Sequence, residues 1–139
     1  MEFISVLFLP DFRKNMSLDS LNVFMEKYES AANSRNFENV KELVWDDAIF
    51  WFTDDPFTGI ESVRSAFENT WNSIKDEDYS IENLKWICNG DDCAVCLYKF
   101  VSKGITSGVA SIVIGRGTTV LKKVGNEWKV AHEHLSLDI

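Results

Sequence analysis

Apolar positions recur at one period in the first half of this chain and at another in the second. From Ser17 to Ser34 they return every three or four residues, and Leu18, Leu21, Phe24, Met25, Tyr28, Ala31 and Ala32 form one stripe. Ser17 can cap the segment and Asp19 sits in its first turn, so the pattern predicts a helix over 17–34. A short second helix after Asn36 would turn Phe37, Val40, Leu43 and Val44 inward. "AIFWF" (48–52) is a strand by composition, and "TDDPFTG" (53–59) is a turn-rich loop. Thr58 and Glu61 have capping-box spacing ahead of a third helix, whose buried stripe would be Ile60, Val63, Phe67, Trp71 and Ile74.

After "KDEDY" (75–79) the period falls to two. Strands are expected at about 79–89, 92–103, 106–123 and 126–137, with tight turns at "NGDD" (89–92) and "GN" (125–126). Gly115 and Gly117 flank Arg116 within the third of these strands, which suggests a bulge or a sharp bend. The predicted order is α-α-β-α-β-β-β-β. Helices gather first and a long antiparallel meander follows, an α+β architecture. A curved sheet wrapped around helices leaves an open end, and open ends make pockets.

With 139 residues and 45% hydrophobic content the chain suits one domain with one core. A net charge of −8 argues against a nucleic-acid groove, and the simplest reading of the acidity is solubility. The apolar stretch Phe3 to Pro10 is too short to span a membrane and lacks the flanks of a secretory signal. Residues 1–15 are read as an apolar extension that packs on the body or on a partner chain. Residues 16–139 are read as the domain, with Met16 a candidate second initiation site. A cytoplasmic location is the default expectation. Cys88, Cys93 and Cys96 are odd in number and fall within an alternating strand pattern, so free thiols are expected rather than a disulfide or a metal site.

Both histidines lie near the end of the chain, in "KVAHEHLS" (129–136). Unbroken alternation would put Trp128, Val130, His132, His134 and Ser136 on one face, with Lys129, Ala131, Glu133 and Leu135 on the other. The first row runs from apolar to polar, as the wall of a pocket would, and its imidazoles could address one bound molecule. The plainer alternative is one satisfied histidine and one exposed. The H-x-H pair could also ligate a metal, but no third ligand has recognisable spacing, and neither metal nor cofactor is expected. Pairing through the Gly125–Asn126 turn brings residues 114–118 opposite about 132–136, so Arg116 and Thr118 would neighbour the histidines. Arg116 there would favour a carboxylate or enolate ligand; otherwise it is solvated or paired with an acid. Asp54 and Asp55 precede Pro56. Asp55, near Trp51 and Phe57, could serve as a base or simply cap a turn. Tyr28 lies in the inward helical stripe and needs a hydroxyl partner, a ligand or Asp55. Trp71 and Tyr98 complete the set of candidate ligand contacts; tryptophans such as Trp45, Trp71 and Trp86 are otherwise core residues.

The order of elements, together with "GRGTTVLKKVGNEWKVAHEHLS" (115–136), resembles the nuclear transport factor 2-like superfamily and its SnoaL-like branch. The last two strands look especially like the association domain of calcium/calmodulin-dependent protein kinase II. A weaker similarity links residues 27–56 to bacterial ketosteroid isomerases, in which a first-helix tyrosine donates to an oxyanion and an aspartate before a proline is the base. Tyr28 and Asp55 fall near those positions, while Thr118 or Thr119 stands where that family has a protonated aspartate. The resemblance implies a cone-shaped α+β barrel with a deep cavity, and frequent homodimers through the outer sheet face. It implies a small organic ligand with a carbonyl or carboxylate, bound or turned over without cofactor by an isomerase, lyase or cyclase type of proton transfer. The alternative is a non-catalytic domain for homo-oligomerisation or partner binding.

Overall fold

The computed structural model describes residues 2–52 and 55–138, with side chains from Leu18 onward. Three helices, α1 (Glu2–Asn33), α2 (Phe37–Lys41) and α3 (Ile60–Ser73), pack in the hollow of a six-stranded sheet. The strands are β1 (Val44–Phe52), β2 (Asp55–Thr58), β3 (Lys75–Asn89), β4 (Cys93–Thr106), β5 (Val109–Val124) and β6 (Glu127–Leu137). Their spatial order is β2-β1-β6-β5-β4-β3.

The expected cone-shaped α+β fold is the one found, with three differences of detail. First, the loop around Pro56 contains a short strand, β2, which pairs antiparallel with β1 and places Asp55 opposite Phe52. Second, β1 and β6 run parallel, so the sheet is mixed rather than wholly antiparallel, and its ends at β2 and β3 do not meet to close a barrel. Third, α3 begins at Gly59 without a side-chain cap, because Thr58 is held in β2 and cannot complete a capping box. Helix α1 runs unbroken across the expected boundary at Met16. The expected packing of the apolar tail concerns side chains outside the described residues.

The free edge of β3 is covered by α1. Asn33 accepts from the Tyr79 amide and donates to its carbonyl, both at 2.8 Å, and Glu29 accepts from the Ile81 amide at 2.7 Å. Asn22 accepts from the Trp86 indole at 2.7 Å. The bonds to Tyr79 and Ile81 occupy backbone groups on an edge that would otherwise invite pairing with another chain. At the other end of the core, the Trp71 indole donates to the Ala32 carbonyl at 3.1 Å, one of the orphan acceptors of the last turn of α1. Between these ties lies a close-packed centre in which Leu21, Met25, Val40, Phe50, Leu121 and Val130 are buried.

Gly115 and Gly117 make no bulge: β4 and β5 pair without interruption from Cys93–Lys122 to Thr106–Val109. The glycines answer a different need. Tyr98 is paired with Gly117 and Phe100 with Gly115, and each ring lies over its glycine, where a Cβ would collide with it. The bulge falls instead in β6. Val120 pairs with His132 and Leu121 with Val130, so Ala131 is an extra residue.

Candidate functional site

That extra residue decides which side chains reach the interior. Before it, Val130 is buried; after it, the buried position is Glu133, not His132. Alternation predicted from Trp128 and Val130 therefore changes phase at Ala131. Paired residues across a sheet share a face. One inner row reads Phe50, Glu133, Thr119, Cys96, Trp86, and the next reads Phe52, Leu135, Gly117, Tyr98. The outer rows contain residues expected inside: Trp51, His134 and Thr118, beside Leu97, in one, and Ser136 and Arg116, beside Lys99, in another.

The inner rows and the helices enclose a cavity of about 270 Å³. Six aromatic rings line it: Tyr28, Phe52, Phe67, Trp71, Tyr79 and Phe100. Ala32, Ile74, Val113, Leu135 and Leu137 fill the wall between them, and Thr70, Glu77, Ser102 and Glu133 supply the polar atoms. Tyr28 and Glu133, only 1% and 2% exposed, form the floor, while Leu137, 47% exposed, marks the mouth.

Glu133 is a carboxyl in an apolar enclosure, held by hydroxyls. It accepts from Tyr98 at 3.0 Å and from Thr119 at 3.1 Å, and those two hydroxyls are themselves 2.8 Å apart. Burial pushes its pKa up to about 7, against the downward pull of the Tyr98, Thr119 and Tyr28 hydroxyls. The Tyr28 hydroxyl is buried and near enough to Glu133 to influence it, yet it makes no aligned hydrogen bond among the described residues. Burial, and then the neighbouring Glu133, raise the pKa of Tyr28, so it remains a donor at neutral pH. Towards the mouth, Ser102 donates to Glu77 at 2.6 Å.

Of the residues singled out from sequence, the structure brings Tyr28 and Trp71 to the cavity wall. Tyr98 lies directly behind the floor, on Glu133. Phe57 packs on Phe52 with ring centroids 6.1 Å apart, one layer out. Asp55 is exposed on β2, away from Tyr28 and from the cavity lining; Asp54 lies outside the described residues. Arg116, with a side chain 78% exposed, pairs with Asp138 at 3.2 Å, the plainer of the two readings of that residue. Its partner across the ladder is Ser136, and that of Thr118 is His134, so the two strands pair through the expected turn, but beyond the bulge the register lies two residues from the expected one and the residues face outward.

His132 and His134 flank Trp51, which meets them edge-on at 5.1 and 5.5 Å. The ring of His132 is fixed by a 2.6 Å hydrogen bond between Nδ1 and the Ile49 carbonyl. Neither imidazole lines the cavity. Among the described residues no three His, Cys, Asp or Glu side chains gather to hold a metal ion. Cys96 is buried under Thr119 while Cys88 and Cys93 are exposed, all three free.

Glu133 was expected on the opposite face, and of the two threonines that the resemblance offered, Thr119 and not Thr118 reaches the floor of the cavity. The signal was present: His132, His134 and Ser136 are uniformly polar, whereas Glu133 shares its alternation with Leu135 and Leu137.

The sequence matches the SnoaL-like domain over residues 21–139. No curated protein matches it. Among solved structures, a nuclear transport factor 2-like superfamily protein from Salmonella enterica superposes with a TM-score of 0.83 at 13% identity, covering 91% of this chain and 94% of the other. A candidate calcium/calmodulin-dependent protein kinase II association domain from Xanthomonas campestris gives 0.76 at 20% identity, with 86% of each chain covered. A candidate scytalone dehydratase from Novosphingobium aromaticivorans gives 0.77 at 13% identity, covering 91% and 87%. At these identities the likeness is one of fold.

Proposed function

The chain belongs to the SnoaL-like domain family, and from that premise we propose that it binds a small, largely apolar molecule in the cone and transfers a proton on it with Glu133. One observation carries this reading: a carboxyl poised near neutrality and an unpartnered tyrosine hydroxyl share the floor of an apolar cavity. A general base works best when its pKa lies near the working pH, and Glu133 meets that condition. Its carboxylate would take a proton from the carbon next to a carbonyl. The electron pair would move to the carbonyl oxygen, and Tyr28 would donate a hydrogen bond to the enolate so formed. Return of the proton at another carbon gives isomerisation; departure of a leaving group gives elimination. The candidate dehydratase among the structural neighbours is consistent with the second course.

The test is incorporation of solvent deuterium into a panel of cyclic ketones, followed by NMR. Glu133→Gln keeps an acceptor for Tyr98 and Thr119 but cannot accept the proton, so exchange should fall by about 10²–10⁴-fold. Exchange at the wild-type rate in that variant would remove Glu133 from the chemistry.

A second reading rests on the outer face, where Ile49, Trp51, Leu97, Ile112 and Ile114 are exposed. Such a row favours self-association through the sheet, which is compatible with a working cavity behind it. Sedimentation of the wild type and of Trp51→Glu tests it: a dimer that dissociates in the variant supports the interface, and a monomeric wild type rejects it.

A further inference from the structure

The hydrogen-bonding groups around the cavity are nearly all spoken for. The Trp71 indole is committed to the Ala32 carbonyl and the Thr70 hydroxyl to the Ala66 carbonyl. Ser102 donates to Glu77, and behind the floor Tyr98 and Thr119 donate to Glu133. Tyr28 is left as the one fully buried hydroxyl without an aligned partner among the described residues, and Tyr79 is a second tyrosine on the same wall. The charges are as one-sided. Among the described residues, no lysine, arginine or histidine lines the cavity, and a carboxyl stands at each end of it, Glu133 at the floor and Glu77 towards the mouth. Arg116, Lys99 and both imidazoles are on the opposite side of the sheet.

We propose that the cavity selects an uncharged ring compound carrying a carbonyl or hydroxyl oxygen, and turns away carboxylates of the same shape. The inference rests on the cavity being a ligand site. Tyrosine hydroxyls with no cation beside them match a neutral oxygen. A carboxylate would bring two anionic oxygens into apolar surroundings facing two acids, and a buried charge without a counter-charge is strongly disfavoured. Size fixes the frame. An apolar cavity of roughly 150 Å³ accommodates benzene, so about 270 Å³ admits a substituted ring or a fused bicycle. This narrows the ligand expected from sequence, in which Arg116 allowed a carboxylate.

The test uses calorimetric titration of the full chain with 2-indanone, indane-2-carboxylate and indane, which share one bicyclic frame. The ketone should bind at least tenfold more tightly than the carboxylate. Tyr28→Phe should weaken the ketone about fivefold, the cost of one hydrogen bond, and leave indane unchanged. Glu133→Gln should narrow the carboxylate's disadvantage at least threefold. Carboxylate binding as tight as ketone binding overturns the charge selection and leaves the ligand site standing. An unchanged gap in Glu133→Gln also counts against the selection. Failure of all three compounds to bind the wild-type chain overturns the ligand site itself.

Discussion

Strand β6 presents two chemistries on its two faces. On the inner face Glu133 is buried among hydroxyls, and its pKa is pushed up to about 7. On the outer face, one residue away on either side, His132 and His134 bracket Trp51. The histidines look more functional on paper, because imidazole has its ordinary pKa near neutrality. Environment reverses that ranking. A carboxyl taken out of water into a ring-lined hollow acquires the poise that imidazole has by nature. Meanwhile the His132 imidazole is tied to the Ile49 carbonyl and that of His134 is exposed beside Trp51. The lesson is that burial and partners, more than residue type, mark the reactive side of a strand.

The contrast can be broken most forcefully through pH. Glu133 has an ordinary pKa of 4.5 and about 7 in the folded chain. Between those values the folded state holds a proton that the unfolded state has released, so stability falls as pH rises. The stabilisation is fully present below about 4.5 and lost through 7 and above, a change on the order of 3 kcal/mol. Glu133→Gln removes it. Urea unfolding at pH 5 and pH 8 should therefore show the variant gaining on the wild type by about that amount; parallel pH dependences would mean that Glu133 is not a buried acid.

A smaller effect comes from the inner-face glycines. Gly117→Ala sets a methyl group against the Tyr98 ring, which supports Glu133 from behind. Overpacking of this kind costs about 1–3 kcal/mol, measurable by chemical unfolding, and should displace the Tyr98 hydroxyl from the carboxyl. The neighbouring outer-face change, Arg116→Ala, breaks only an exposed pair with Asp138 and should stay within about 0.5 kcal/mol. Smallest of all should be the effect of replacing both histidines by alanine on ligand affinity: less than about twofold, since neither lines the cavity. A large loss of affinity in the double variant would return the site to the outer face.

Much of the architecture was legible. The stripe from Leu21 to Ala32 is buried as its spacing requires, and the turns at 89–92 and 125–126 set the strand pairing correctly. Tyr28 and Trp71 followed from helical periodicity, which depends only on local geometry and survived intact. The site on β6 was misread, because the alternation set by Trp128 and Val130 conflicts with that of Glu133, Leu135 and Leu137, and strand alternation is fragile. One extra residue at Ala131 exchanges the two faces for the remainder of the strand, and no glycine or proline marks it. Asp55 failed for a different reason. A turn-rich composition around Pro56 concealed a short edge strand that holds the carboxyl in solvent. Gly115 and Gly117 were noticed for the right property, the missing side chain, but what they make room for is a ring on the adjacent strand, a contact invisible along the chain.

The most direct measurement is an NMR titration of the side-chain carboxyls in protein labelled with ¹³C at glutamate, with Glu133→Gln used to assign the resonance. The account predicts one carboxyl, absent from the variant, that titrates near pH 7. A Glu133 resonance that titrates at the ordinary carboxyl value of 4.5 would contradict it.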